Sequence, residues 1–337
     1  MDKAVFIIAE IGQAHDGSLG ILHSYIDALA NTGVDAIKFQ THIAEAESSI
    51  HEPFRINFSY EDKTRFDYWK RMSFTLDQWK EIKAHCDEVN LEFMSSPFSQ
   101  AAVDLLEKLN VKRYKIGSGE VNNFLMLEKI CKTGKPIILS SGMSSYDELD
   151  DAVAFIQKSG NSISVLQCTT SYPTPPSRIG FNVISELKGR YPNALIGLSE
   201  HTANIATGIA AVAIGAEILE FHAVFDRSMF GPDASSSLTI EEIKNLVHQI
   251  RFLEVALRNP IDKKDNSAYL GLKSIFEKSL SVNKKLQKGH VLCFDDLEAK
   301  KPAGLGIAAK CYKETIGKKL KYSLEQWDFL TEEDLEN

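Results

Sequence analysis

From Val5 to about Leu257, short apolar runs alternate with longer stretches whose apolar residues recur at helical spacing. The runs predict strands at Val5–Ala9, Asp35–Gln40, Leu91–Ser95, Arg113–Ile116, Pro136–Ser140, Ser162–Gln167, Ala194–Leu198 and Ile218–His222. The helical spacing predicts helices that include Leu19–Asn31, Leu76–Val89, Ala101–Leu109, Tyr146–Gln157, Ile205–Ile214 and Ile240–Leu257. Eight such strand-helix units in roughly 250 residues are what a closed (β/α)8 TIM barrel needs. A doubly wound open sheet is the weaker alternative, because no G-x-G-x-x-G turn follows the first strand.

One connection breaks this rhythm. Residues His42 to Ser73 carry Phe54, Phe58, Tyr60, Phe66, Tyr68 and Trp69 among many charges, and are too long for an ordinary βα loop. Loops of that length in a compact domain are usually functional, and this one would leave the barrel on the substrate side. After the barrel (residues 1–258), the stretch 259–276, with Asn259-Pro260 and a Lys-Lys-Asp-Asn run, predicts a linker. Residues 277–337 then read as a small β-rich domain of short strands and glycine turns. A unit so slight is expected to lean on the barrel or on a second subunit.

Composition narrows the class of partner. The chain of 337 residues is 44% hydrophobic and 25% charged, with a formal net charge of −8, so a basic footprint for nucleic acid or an anionic membrane is missing. No apolar run approaches the ~18 residues of a membrane span. The stretch from Met1 to Glu10 reads as leading into a first strand rather than as a signal peptide. Five cysteines without paired short spacing suggest reduced thiols and a cytoplasmic location. Cys86, Cys131, Cys168, Cys293 and Cys311 read as packing residues, since none stands beside a candidate base in the sequence.

Candidate chemistry gathers at the strand ends. In Tyr114-Lys115-Ile116-Gly117-Ser118-Gly119-Glu120, alternation sends Lys115 alone to one face of its strand, and the glycines let the backbone turn just beyond it. Similar polar ends recur: Glu10 on the first strand, Lys38 and Gln40 on the second, Ser95 and Ser96 on the third. Ser140 and Ser141 follow the fifth strand, Thr169, Thr170 and Tyr172 the sixth, Ser199 and His201 the seventh, and Glu220-Phe221-His222 the eighth. Two inward lysines and a ring of hydroxyls suit phosphate and carboxylate, so a phosphorylated carboxylic acid is the expected ligand. His201 and His222, ending neighbouring strands, would share a divalent metal with positions left open for substrate.

Taken together, Ala9-Glu10-Ile11-Gly12, Lys38-Phe39-Gln40, Ser95-Ser96-Pro97-Phe98-Ser99, Lys115-Ile116-Gly117-Ser118-Gly119-Glu120, Ser140-Ser141-Gly142-Met143, Cys168-Thr169-Thr170-Ser171-Tyr172-Pro173, Gly197-Leu198-Ser199-Glu200-His201-Thr202 and Gly231-Pro232-Asp233 resemble the sialic acid synthase family. The resemblance covers essentially the whole chain, including a C-terminal segment similar to that family's antifreeze-like (SAF) domain. It implies condensation of phosphoenolpyruvate with N-acetylmannosamine or a related amino sugar, as in legionaminate- and pseudaminate-type synthases. By the same resemblance, Lys38, Gln40, Ser96, Lys115, Ser118, Ser140 and Ser199 would hold phosphoenolpyruvate, and His201 and His222 would bind Mn2+. Glu10, Tyr172 and Asp233 would bind the sugar hydroxyls, with Glu10 and Glu120 as the catalytic carboxylates and Glu120 handling water or proton transfers. The family's domain-swapped homodimer would bring Phe276 near the partner's substrate.

The chain departs from the family pattern in places that bear on the sugar. Gln13 stands where Asn is usual, Phe221 where Lys precedes the second metal histidine, and Ala234 where His follows Gly-Pro-Asp. In the small domain, Lys301-Pro302-Ala303 replaces an Arg-Pro-Gly stretch whose arginine contacts the N-acetyl group. Two rival functions fit the same residues less well. A metal-dependent pyruvate aldolase would not need both lysines, and a sugar-binding regulator would not need the pairs His201/His222 and Glu10/Glu120.

Overall fold

The computed structural model describes residues 4–56 and 58–336. Met1–Lys3, the start of the stretch read as leading into the first strand, lie outside the described residues. Eight parallel strands, β1 (Phe6–Glu10), β2 (Ala36–Thr41), β3 (Glu92–Pro97), β4 (Tyr114–Ile116), β5 (Ile137–Ser140), β6 (Ile163–Cys168), β7 (Leu195–Glu200) and β8 (Ile218–Val224), follow the order β3-β2-β1-β8-β7-β6-β5-β4. Strand β1 pairs with both β2 and β8, and the path's two ends, β3 and β4, lie side by side. The sheet is therefore a nearly closed barrel, as the alternation predicts, and the doubly wound alternative is excluded. A short β9 (Leu238–Thr239) pairs parallel with the end of β8.

The helices begin where the sequence supplies a cap. Ser18 caps α1 (Leu19–Ala30), Thr64 caps α3 (Arg65–Met72), Thr75 caps α4 (Leu76–Glu88) and Ser99 caps α5 (Gln100–Lys108), while α2 (Ala44–Glu47) is a single uncapped turn. Asn123, Ser145 and Asn204 cap α6 (Phe124–Cys131), α7 (Tyr146–Lys158) and α9 (Ile205–Ala213). Between the last two, α8 (Phe181–Arg190) starts from Gly180, and Thr239 opens α10 (Ile240–Arg258). Thr75 with Gln78, Ser145 with Glu148, and Thr239 with Glu242 form reciprocal capping boxes. Such caps contribute about 1 kcal/mol each and fix where each βα unit turns back.

Strand alternation divides the apolar residues between two shells. Ile7, Ile37, Phe39, Phe93, Tyr114, Leu139 and Phe221 face outward into the helix layer, joining Leu22, Ile82, Leu106, Ile130, Ile156 and Leu246 in the main core. Ile8, Ala36, Met94, Ile138, Leu166 and Ile218 face inward and fill the lower barrel, with Phe6 packed against them. The barrel is thus plugged below, so any ligand enters at the carboxyl ends of the strands. Among the described residues no helix is long and apolar enough to cross a membrane.

The chain divides into two compact units, ending at Asn259 and beginning at Pro260. Within the stretch read as linker, Ser267–Tyr269 form a 3-10 turn and Leu270–Phe276 a short helix, α11. The second unit pairs β10 (Ser279–Val282) antiparallel to β11 (Leu297–Lys300), and adds a one-turn α12 (Tyr312–Thr315). Its small core comprises Leu280, Val282, Leu286, Leu292, Ile307, Leu320, Leu324, Leu330 and Leu335.

Candidate active site

One step beyond the apolar plug, the same inward faces turn polar. Ile8 is followed two residues on by Glu10, Ala36 by Lys38 and then Gln40, Met94 by Ser96, and Ile138 by Ser140. Leu166 is followed by Cys168, and Ile218 by Glu220 and His222. The parallel register aligns Glu10 with Lys38 and His222, Gln40 with Ser96, and Ser199 with Glu220. These side chains, with Lys115 and His201, line a cavity of about 370 Å³ at the mouth of the barrel.

A buried ladder of alternating charge forms the floor. Lys38 Nζ lies 2.6 Å from Glu10 Oε1 and 3.8 Å from Glu220 Oε2, and Lys115 Nζ lies 2.7 Å from Glu220 Oε1. Ser199 Oγ donates to Glu220 Oε1 at 2.9 Å, Lys38 Nζ to Ser96 Oγ at 3.3 Å, and Gln40 Nε2 to Glu10 Oε1 at 2.9 Å. Burial alone would push the Glu10 carboxyl up, but Lys38, His222 and Lys115 together hold it well below the usual range. Glu220 is lowered likewise against its burial, by Lys115 and Lys38. Burial would push Lys115 down, yet Glu220 and Glu10 raise it. Lys115 therefore stays charged out of water, where an isolated ion would cost several kcal/mol.

This corrects one feature of the sequence reading. The lysines are not bare cations waiting for an anion, because Glu10 and Glu220 hold both of them. Glu220 received no role from the sequence, although its two-residue spacing from His222 places it on the same inward face. Its Oε2 and the Ser140 Oγ are buried without a hydrogen-bond partner among the described residues. Both residues line the cavity, where a bound water or ligand can complete the network.

Above the ladder, the rings of His201 and His222 lie 5.3 Å apart, and Tyr172 packs 4.3 Å from His201. His201 Nδ1 is 3.2 Å from the Thr169 carbonyl, which can only accept, so Nδ1 donates there and Nε2 is the nitrogen left to meet a cation. His222 Nε2 lies 3.5 Å from Glu10 Oε2. Among the described residues no three or more His, Cys, Asp or Glu side chains form a ligand cluster. The arrangement fits a cation held by two imidazoles with its other positions open, which suits catalysis better than a closed structural site. Cys168, read from the sequence as packing, instead lines this cavity, with Ser118 Oγ 3.6 Å from its Sγ. Burial alone would raise its thiol, but His201, Ser118 and Lys115 lower it.

The remaining wall comes from turns and from the long connection. Ser118–Glu120 form a 3-10 turn beyond β4. Glu120 is raised by burial and by neighbouring Glu47, while Asn123 Nδ2 donates to its Oε2 at 2.7 Å. At Gly142 a Cβ would collide with Ser118 Oγ and Thr170 Oγ1, so only glycine lets these hydroxyls approach. His42 stacks 3.8 Å from Trp69 and 4.4 Å from Phe98. Its Nε2 meets Gln40 Oε1 at 3.0 Å and its Nδ1 meets Glu47 Oε1 at 2.5 Å. Glu10, Gln40, His42 and Glu47 thus form one continuous chain of hydrogen bonds. Arg55, also unread in the sequence, donates from Nη2 to Asp233 Oδ1 at 2.8 Å and lies 4.3 Å from the Tyr172 ring centre.

Every barrel residue singled out above for substrate or metal lines this one cavity: Glu10, Lys38, Gln40, Ser96, Lys115, Ser118, Glu120, Ser140, Tyr172, Ser199, His201, His222 and Asp233. Phe276 and Lys301 belong to the second unit, where Lys301 Nζ lies 4.8 Å from the Phe276 ring centre. Of the departures, Gln13 Nε2 donates to Gln40 Oε1 at 3.0 Å, and Phe221 faces outward into the core, away from the cavity.

Known proteins are similar to this chain in sequence and in architecture. The chain is 35% identical over 94% of its length, and 96% of the relative's, to the N,N'-diacetyllegionaminic acid synthase of Campylobacter jejuni. It is 34% identical to the human N-acetylneuraminate-9-phosphate synthase, covering 98% of this chain and 93% of that one. The crystal structure of N-acetylneuraminic acid (sialic acid) synthetase from Leptospira borgpetersenii in complex with citrate superposes with a TM-score of 0.71 at 30% identity, over 80% of this chain and 90% of that one. The model of the NeuB family matches residues 25–262, nearly all of the barrel, and the chain belongs to the NeuB family.

Proposed function

We propose that the protein is a nonulosonic acid synthase that condenses phosphoenolpyruvate with an acetamido sugar. The observation that carries this reading is the buried Glu10–Lys38–Glu220–Lys115 ladder beneath two histidines at the mouth of a NeuB-family barrel. Lys38 and Lys115, with Ser96, Ser118, Ser140, Ser199 and Gln40, receive the phosphate and carboxylate. Glu10 and Glu220 hold the ammonium groups in place before substrate arrives, which reduces the ordering that binding would otherwise require. His201 and His222 would hold a divalent cation such as Mn2+, whose chemistry there is Lewis-acid polarisation of the sugar's aldehyde oxygen. Glu10, Tyr172 and Asp233 orient the sugar hydroxyls.

In the reaction, C3 of phosphoenolpyruvate bonds to the aldehyde carbon, whose oxygen takes a proton and becomes a hydroxyl. Water adds at C2, giving a tetrahedral centre, and the C2–O bond to phosphate breaks as the ketone forms. The two protons of that water balance the sugar hydroxyl and the released hydrogen phosphate. Glu120 accepts and returns them; burial and Glu47 keep its carboxyl less acidic than usual, which suits a group that exchanges protons. The second unit is assigned the antifreeze-like role, with Phe276 and Lys301 reaching a partner's substrate in a cytoplasmic homodimer.

The test is to incubate the protein with phosphoenolpyruvate, Mn2+ and a panel of amino sugars, and to measure phosphate release and product mass. A 2-keto-3-deoxy acid should form, a chelator should abolish turnover, and Mn2+ should restore it. Release of phosphate with no new carbon-carbon bond would refute the proposal, and full activity after chelation would refute the metal assignment.

A further inference from the structure

The long connection after β2 carries Arg55 to the outer rim of the cavity. Phe54 and Phe58 both pack against Tyr68, at ring separations of 6.5 and 5.2 Å. The guanidinium lies over the Tyr172 ring, which in turn packs against His201. Arg55, Tyr172 and His201 thus form a column leading from the rim toward the reacting end of the site.

The cations lining the cavity share one property: each already faces a carboxylate. Lys38 pairs with Glu10 at 2.6 Å, Lys115 with Glu220 at 2.7 Å, Arg65 with Glu52 at 2.9 Å, and Arg55 with Asp233 at 2.8 Å. The two lysines are consumed by the anionic substrate at the floor. At the rim, a second anionic group would have to compete with Asp233 for Arg55, whereas an uncharged acceptor would not. Guanidinium only donates and a carbonyl oxygen only accepts, so the two are complementary. A sugar hydroxyl can be served equally well by the acceptors Glu10 and Asp233. Of the groups on a neutral amino sugar, the acyl oxygen is the one that specifically needs Arg55.

Resting on the synthase reading above, we propose that Arg55 is a specificity-determining residue that binds the acyl oxygen of an acetamido substituent on the sugar, from within the same chain as the barrel. The site then selects an uncharged acetamido sugar over a sugar phosphate.

Arg55→Ala and Arg55→Lys, with Lys301→Ala alongside, test this in the full-length protein loaded with Mn2+. Steady-state kinetics are measured with N-acetylmannosamine, its 6-phosphate, a 2,4-diacetamido hexose and mannose, using inhibition constants for any sugar that is not turned over. Arg55→Ala should raise KM for the preferred acetamido sugar about tenfold or more, as expected for a lost hydrogen bond to a charged donor. KM for phosphoenolpyruvate should stay within about twofold, the preference over mannose should shrink by the same factor as the sugar KM rises, and Arg55→Lys should recover part of the loss. Equal losses on acetamido sugar and mannose would overturn the inference, because Arg55 would then be shaping the wall only. A wild-type preference for the 6-phosphate that disappears in Arg55→Ala would also overturn it. So would loss of acyl discrimination in Lys301→Ala with none in Arg55→Ala. A wild-type protein inactive with every amino sugar would remove the synthase reading and this inference together, whereas an active wild type with an unchanged Arg55→Ala removes the inference alone.

Discussion

The lower and upper halves of the barrel interior are made by the same strands, two residues apart. Below, Ile8, Ala36, Met94, Ile138, Leu166 and Ile218 form a dry plug. Above, Glu10, Lys38, Ser96, Ser140, Cys168 and Glu220 are almost as inaccessible to water, yet ionic or polar. Burying each large apolar side chain below contributes about 1.5–3 kcal/mol. Burying the ions above costs free energy that their mutual attraction recovers only in part. One half therefore supports the other, and the upper half is better explained by chemistry than by folding.

The sharpest way to break this comparison is to remove charge from the ladder singly and then in pairs. Lys115→Met leaves the Glu220 carboxylate with only the Ser199 hydroxyl and the more distant Lys38, and should cost up to about 3–5 kcal/mol of stability. It should also lower kcat/KM for phosphoenolpyruvate by about a hundredfold or more, since the proposed role of the lysine is to meet the departing phosphate. Adding Glu220→Leu should return the melting temperature to the wild-type value or above without returning activity. A double variant no more stable than Lys115→Met alone would mean that the ladder stabilises the fold.

Below the ladder the expectation is inverted. Leu166→Ala leaves a cavity in the plug and should cost about 2–5 kcal/mol in denaturant unfolding. The folded fraction should nevertheless keep its wild-type kcat. A loss of kcat as large as that of Lys115→Met would show that the two halves are not separable.

The same two-residue alternation explains which parts of the site were legible in the sequence. Polar residues that end an apolar run stand out, so Glu10, Lys38, Lys115, Ser140 and Ser199 were found, and the barrel with them. Glu220 and Cys168 lie on the same inward faces, but the sequence marks Glu220 only as part of the polar end Glu220-Phe221-His222, without a role, and Cys168 as a packing residue. Counting inward from the histidine and one residue past Gln167 would have found both. Arg55, His42 and Glu47 sit on the long connection, where no periodicity fixes a side chain's direction. Only the length and aromatic content of residues 42–73 marked that segment as functional. The helix caps were legible as Ser, Thr or Asn before an apolar stretch, although α6 and α8 were not singled out by spacing.

Glu200 sharpens the contrast between inward and outward faces on a single strand. Ser199 and His201 enter the cavity, so Glu200 points into the helix layer, where Thr202 donates to its Oε2 from both N and Oγ1 at 2.7 Å. Burial pushes its carboxyl up from 4.5 to about 7, and its Oε1 has no partner among the described residues. Between those two values the folded state holds a proton that the unfolded chain has released, so folding weakens as pH rises through this window. At about 1.4 kcal/mol per pKa unit, the loss between pH 4.5 and 7 amounts to about 2–3 kcal/mol. Glu200→Gln should flatten that part of the stability profile measured by urea unfolding, gaining on the wild type as pH rises. A parallel profile for the two proteins would show that Glu200 titrates normally.

The smallest expected effect lies at the seam between the strand-built floor and the loop-built wall. Gln40 must turn Nε2 toward Glu10, because its oxygen would be repelled there, and so its Oε1 faces His42 Nε2. His42 then donates to Gln40 on one side and meets the Glu47 carboxylate on the other, clamped between Trp69 and Phe98. Replacing it with phenylalanine keeps the stack and removes both polar contacts, leaving Glu47 with the Ile43 amide as donor. His42→Phe should therefore cost about 1–3 kcal/mol, the range for a buried acceptor losing one partner. Because Gln40 loses one of its two fixed contacts besides Glu10, kcat/KM for phosphoenolpyruvate should fall by about tenfold, through KM more than kcat. His42→Gln, which can still donate to Gln40, should recover much of the kinetic loss and little of the stability. If both variants lose activity equally, the histidine acts through Glu47 and the long connection, and the floor is positioned by the strands alone.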